Sequence, residues 1–383
     1  MSSEASDRWR QRVRVVVLMG AGVVIGLLGV NVFDRLTGGF DVEVPPLHWL
    51  LVGLLVITLF VILVHELGHV AGGKLAGFRF FMLVVGPFKL IREGMDLRLR
   101  LNKALNPGGG LALLLPEDEH VSVRRMALYI AGGPVFSLAG GVVLFGVMVA
   151  LGKAGDAAPG YAGFFLLVSA VMSIAIGVIT FLPLPSSGFA NDGTQLLDLM
   201  RGGHRAERKL LMLAVVAESM RGVRPRAWAA GRVQRALAMS EQETDQQAVM
   251  ASLLGYYHHL DRGDAGTAGG HLDKALAYLD QYPKPLRSAV RLEAAFFEAR
   301  HRHRLEAAQA HWEAVQTEGG FIEKHVRARA EAALFWTEER YQEAADAAHR
   351  GLEHVHKALD RGGAIAEKAW LEAILQDSNG KTL

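Results

Sequence analysis

VPPLHWLLVGLLVITLFVILVHELGHV, residues 44–70, decides the reading of this chain. It is an uncharged apolar run that ends in three ionisable side chains, His65, Glu66 and His69. About 20 apolar residues are enough to cross a 30 Å hydrocarbon core as a helix. Ionisable groups at the end of such a run are costly near lipid, so their presence points to a site. On a helix, His65 and His69 are four residues apart and lie on one face, one turn above the other, where both imidazoles can hold one ion. Glu66, next to the first histidine, is placed to take a proton from a water beside that ion.

Working outward, three further apolar runs have the length of a span. They cover about Val15–Phe33, Met126–Leu151 and Tyr161–Pro183, with the opening run taken as Val44–Val70. Arg8, Arg10, Arg12 and Arg14 precede the first of them. No small-residue cleavage site follows it before Asp34, so it is read as a retained anchor. Lys and Arg alternate between loops as the positive-inside rule requires. Lys74, Arg79, Lys89, Arg92, Arg98, Arg100, Lys103, Arg124 and Arg125 put the segment between the second and third runs in the cytosol. Arg201, Arg205, Arg208 and Lys209 do the same after the fourth, so both termini are expected to be cytosolic.

Composition divides the chain near residue 200. Apolar residues make up 51% and charged residues 21%, and most of the charge follows the last apolar run. Basic and acidic residues balance in each part, 15 against 14 before residue 201 and 26 against 25 after it. Nucleic-acid binding therefore has no electrostatic support. The chain has no cysteine, so disulfides and thiolate metal sites are excluded and any metal must be held by His and carboxylate.

A catalytic zinc site needs a third protein ligand at matching depth. The fourth run ends in TFLPLPSSGFANDG, residues 180–193, and Asp192 is the only acidic residue between Asp156 and Asp198. Two readings stand for it: a metal ligand, or a helix N-cap before Thr194–Met200. Pro183 and Pro185 break regular helix there, which is tolerated at membrane depth where backbone lines a cavity.

With His65-Glu66-Leu67-Gly68-His69 on one helix and Asp192-Gly193 after another, the chain resembles the site-2 proteases, the intramembrane zinc metalloproteases. The resemblance covers about Leu47–Met200. It includes Ala131-Gly132-Gly133-Pro134, similar to the Gly-Pro that opens the family's middle core helix. Ser137, Thr180 and Asn191 stand where the family often has Asn, Asn and Leu. The resemblance implies an integral protein of the bacterial plasma (inner) membrane that binds one zinc per chain through His65, His69 and Asp192. It further implies that Glu66 acts as base on membrane-spanning protein substrates, cut near the cytosolic side. A catalytically inactive membrane anchor presenting a helical-repeat scaffold, and a protease processing small exported peptides, remain alternatives.

Between the second and third runs the pattern is β. Phe78–Val85 is aromatic and branched, Gly86-Pro87 and Glu93-Gly94 are turns, and Asp96–Asn102 alternates strictly. The expectation is a small cytosolic sheet over about 78–102, with Asp96–Asn102 half-buried and Arg98 and Arg100 on its wet face. Its edge could receive an extended substrate strand, or the hairpin could have no substrate role. Asn106–Gly110 reads as a flexible joint.

Residues 201–383 read as a separate cytosolic helical domain. Gln246–Pro283, Leu286–Thr317 and Lys324–Arg361 are loose tetratricopeptide-like helix pairs, with a non-repeat bundle as the alternative. Such stacks offer a surface for a regulatory partner protein. Histidine pairs two apart in this half, such as His301/His303 and His354/His356, diverge on a helix and are read as solvated, His120 as a surface group and His48 as lying at the outer interface beside Trp49. The expected class is thus mainly α: a polytopic membrane core of about four spans (1–200), a small sheet insertion, and a soluble helical-repeat domain (201–383).

Overall fold

The computed structural model describes residues 43–93, 96–101, 109–118, 121–154, 160–184, 191–318, 322–358 and 360–382. The expected first span, His120, residues 106–108 of the Asn106–Gly110 joint and the Pro185–Ala190 link lie outside them. Among the described residues are thirteen α-helices and one four-stranded sheet. Three helices are long and apolar enough to cross a membrane: α1 (Leu47–Leu75), α2 (Val123–Ala154) and α3 (Gly160–Phe181). They run a few residues past or short of the expected bounds, as helix ends do. Pro134 does not begin α2 but lies inside it, eleven residues after Val123. Without an N–H it makes no ladder bond there, and the helix continues regardless.

The chain divides into two compact units, Met1–Val61 with Leu138–Ala175, and Ile62–Ser137 with Ile176–Leu383. In the first, glycines admit large neighbours. A Cβ on Gly53 would lie 2.2 Å from the Phe165 ring, and one on Gly141 would lie 2.5 Å from Ile174.

In the second unit, the end of α1 crosses the start of α2 backbone to backbone. A Cβ on Gly68 would sit 2.3 Å from the Gly132 carbonyl oxygen, and one on Gly72 2.3 Å from that of Leu128. Gly68 and Gly72 are four apart on one helix face, the small-residue spacing that lets membrane helices approach this closely. Each needs the missing side chain, because the obstacle is main chain and cannot swing away.

The sheet is antiparallel in the order β3-β2-β1-β4, with β1 Phe78–Val85, β2 Phe88–Glu93, β3 Asp96–Leu101 and β4 Gly110–Pro116. β1 is central and covered on both faces, so it reads as a continuous apolar run rather than an alternation. Gly86, at φ 51°, turns β1 into β2 in two residues, a position that favours glycine. Two expectations fail here. The sheet does not end near residue 102: β4 adds Gly110–Pro116, whose run of leucines shows no period of two. Nor is β3 half-buried, since all six residues are exposed and Leu99 and Leu101 stand 69% and 70% open. It is the outer strand, paired only with β2, and alternation cannot bury a face that no other element covers.

From residue 192 the chain is helical: α4 (Asp192–Arg201), α5 (Gly203–Met220), α6 (Ala230–Ala238), α7 (Gln246–Asp261), α8 (Ala265–Ala277), α9 (Lys284–Arg300), α10 (Leu305–Glu318), α11 (Lys324–Thr337), α12 (Tyr341–Val355) and α13 (Arg361–Thr382). Alanines line much of the core among α7 to α13, around Tyr256, Phe296, Phe297, Leu371 and Ile374. Arg329 on α11 is fully buried, 2.6 Å from Glu293 on α9 and 2.9 Å from Glu367 on α13, and its guanidinium lies over the Phe296 and Trp370 rings. His301 and His303 are exposed as expected, but in the turn after α9 rather than on a helix.

Candidate metal centre

His65, Glu66 and His69 lie one turn from the α1–α2 crossing, and the glycines that make the crossing also make room for them. A Cβ on Gly133 would strike the His69 ring at 2.4 Å, and one on Gly110 would strike the Glu66 carboxylate at 2.2 Å. Residues 132–133 therefore serve two faces of α2: Gly132 admits the α1 backbone, Gly133 the imidazole.

Each histidine is oriented through its Nδ1. His69 Nδ1 is 3.1 Å from the Tyr129 carbonyl oxygen, which can only accept, so Nδ1 carries the proton and Nε2 keeps a lone pair. His65 Nδ1 is 3.0 Å from the hydroxyl of fully buried Ser137. The two Nε2 atoms converge to 3.3 Å.

Asp192 joins them from across the sequence. Its Oδ2 is 3.2 Å from His65 Nε2 and 3.5 Å from His69 Nε2. The capping role belongs to its neighbour: Asn191 Oδ1 accepts from the Thr194 N–H at 3.0 Å, and Asp192 is the first residue of α4. Asn191 Nδ2 also donates to the Leu182 carbonyl at 2.6 Å, pinning the start of α4 to the end of α3. A Cβ on Gly193 would fall 2.1 Å from the Phe181 carbonyl oxygen. The Asp-Gly pair is thus one device, with glycine permitting the approach and aspartate using it. Behind them, Lys209 Nζ on α5 donates to Gln195 Oε1 at 2.8 Å. Burial pulls the Lys209 ammonium down to about 8, against the attraction of Asp198 and Asp192.

Glu66 is 93% buried and accepts from the Ala112 N–H of β4. The Ala112 carbonyl accepts from the Tyr129 hydroxyl at 2.5 Å, and the Leu114 N–H also meets that hydroxyl. Between Ala112 and Leu114 the outer edge of β4 is therefore occupied by side chains of the site. The other edge of the sheet is β3.

His65, His69 and Asp192 form a group that could hold a metal ion, the one such group among the described residues. All four residues singled out in the sequence come together here. Ser137 was noted there only as a departure from a family pattern. Asn191 was likewise noted only as a departure, Gly133 only within the Ala131–Pro134 resemblance and Gly110 only as part of a joint, while Tyr129, Ala112 and the pairing of Gly68 with Gly72 were not recognised. Of these, only the Gly68/Gly72 spacing had a local signal. Comparisons with protein-family models, with curated proteins and with solved structures found no match.

Proposed function

We propose that the chain is an intramembrane zinc endopeptidase of the site-2 protease type, acting on membrane-spanning protein substrates near the cytosolic side. The observation that carries the reading is the convergence of His65 Nε2, His69 Nε2 and Asp192 Oδ2, 3.2–3.5 Å apart, beside buried Glu66. Donors about 2.0–2.1 Å from a tetrahedral zinc are separated by about 3.3–3.4 Å, which these distances match. A six-coordinate ion at similar bond lengths would draw them to about 3.0 Å, and two imidazoles disfavour calcium or magnesium. The ligand set would be these three atoms, with the fourth position left for water or substrate.

Zinc bound there supplies a Lewis acid that acidifies water and polarises a carbonyl. The chain's own residues do the rest. Glu66, held by the Ala112 N–H, takes the proton of the attacking water and later gives it to the leaving amine. Ser137 and the Tyr129 carbonyl keep the imidazoles turned with Nε2 inward. A peptide bond must be presented as extended backbone, because helical carbonyls are already hydrogen-bonded. The cytosolic helical domain is read as a tetratricopeptide-like stack that receives a regulatory protein, with both termini in the cytosol of a bacterial plasma membrane.

The test is zinc content and cleavage of a single-span substrate in detergent or vesicles. Wild type should hold about one zinc per chain and cut. Asp192→Asn should lose zinc or activity, although Asn would cap a helix as well as Asp does. Wild-type cleavage by Asp192→Asn or by Glu66→Gln would overturn the reading.

A further inference from the structure

The helical half contains a cavity that the metal chemistry does not use. Its volume is about 250 Å³, and its wall is mostly apolar, with Leu253, Leu254 and Val290 beside the aromatic rings of Trp228, Tyr257 and Tyr282. One charged group lines it, Asp360, just before α13.

Asp360 is bound unevenly. Its Oδ1 accepts three hydrogen bonds: from Ser219 Oγ at 2.6 Å, the Gly362 N–H at 3.1 Å and the Gly363 N–H at 3.0 Å. Those bonds cap α13 and tie it to α5. Oδ2 receives none of them. The charges that act on this carboxylate include no Lys or Arg, and burial raises its affinity for a proton above that of an ordinary aspartate despite the three donors. Capping alone requires one oxygen and no cavity. Here the second oxygen belongs to a group that lines an apolar chamber with three aromatic rings, the combination that recognises an alkyl cation.

We propose that this cavity is a binding site for a primary ammonium group on a short apolar chain, its charge paired with Asp360 Oδ2 and its alkyl part against Trp228, Tyr257 and Tyr282. The volume suits one lysine side chain or a short free alkylamine and is below the usual size of a cofactor pocket, about 300 Å³ or more. The chemistry is the same for both sources. The site does not depend on the protease reading, since none of its residues belongs to the metal centre.

The experiment is isothermal titration of the full-length protein in detergent with two matched pairs of probes. The first pair is n-butylammonium against n-butanol. The second is the capped peptide Leu-Leu-Lys-Leu-Leu against its Gln counterpart. The cationic member of at least one pair should bind tenfold or more tighter than its neutral twin. Preference in the first pair alone assigns a free amine, and preference in the second assigns a peptide lysine. Asp360→Asn should abolish the preference with the thermal transition retained, because Asn also caps. Ala289→Phe, which fills the chamber from α9 and leaves the Asp360 side chain unchanged, should remove binding of both members of a pair. Equal affinity within both pairs would overturn the proposal, as would a preference that survives Asp360→Asn or Ala289→Phe.

Discussion

Two of the places where this molecule buries ionisable groups among helices handle the charge in opposite ways. Around Arg329, the fold supplies its own countercharges: Glu293 and Glu367 flank the guanidinium and two aromatic rings cover it. Around His65, His69, Glu66 and Asp192, two carboxylates and two imidazoles face one another. Among the described residues no Lys or Arg lies at ion-pair distance from either carboxylate. In the first cluster the opposing charges all come from the chain itself. The second is a group that could hold a metal ion from outside. Buried charge by itself therefore says little; whether the fold has already neutralised it separates structure from function.

The largest expected effect tests this directly. Glu66→Gln should cost about 10²–10⁴-fold in cleavage rate while zinc content, measured by atomic absorption, stays near wild type. Loss of zinc with the same change would make Glu66 a ligand and break the comparison.

Arg329→Ala should destabilise the helical half by about 3–5 kcal/mol, because two buried carboxylates lose their cation. Thermal unfolding of the full chain measures it, and the zinc centre should keep its metal below the transition. A loss under about 1 kcal/mol would mean that the network is hydrated rather than closed.

Ser137→Ala removes the hydroxyl beside His65 Nδ1 and should weaken zinc affinity by about 10–100-fold, read by chelator competition. Unchanged affinity would mean that packing alone orients the ring.

The last test concerns a proton. Arg329 brings one positive charge to two carboxylates, and burial raises the Glu367 carboxyl to about 8. With the folded value above the unfolded one near 4.5, its contribution is fully present below about pH 4.5 and is lost as pH rises through 8. Glu367→Gln, which mimics the protonated group, should flatten the fall in melting temperature between pH 5 and 8. A wild-type slope in that variant would place the titration elsewhere.

The chain by itself indicated the apolar runs at about Val44–Val70, Met126–Leu151 and Tyr161–Pro183, which the long apolar helices Leu47–Leu75, Val123–Leu151 and Gly160–Phe181 match to within a few residues, together with the i, i+4 histidines and strands at Phe78–Val85 and Asp96–Asn102. All of these rest on local periods and run lengths, which neighbouring residues carry. It singled out Asp192 but left it between ligand and cap. Tertiary structure gave the cap to Asn191 and brought Asp192 to His65, 127 residues away in sequence, in a group that could hold a metal ion. Tertiary structure also decided β4, whose leucines have no alternation because packing against α1 and pairing with β1 define it. The proton on His69 Nδ1 is set by a carbonyl sixty residues away, and room for Glu66 by a glycine that looked like part of a loop. Periodicity records which face of an element is apolar. It does not record which element will cover that face, and the candidate metal centre is assembled from such encounters.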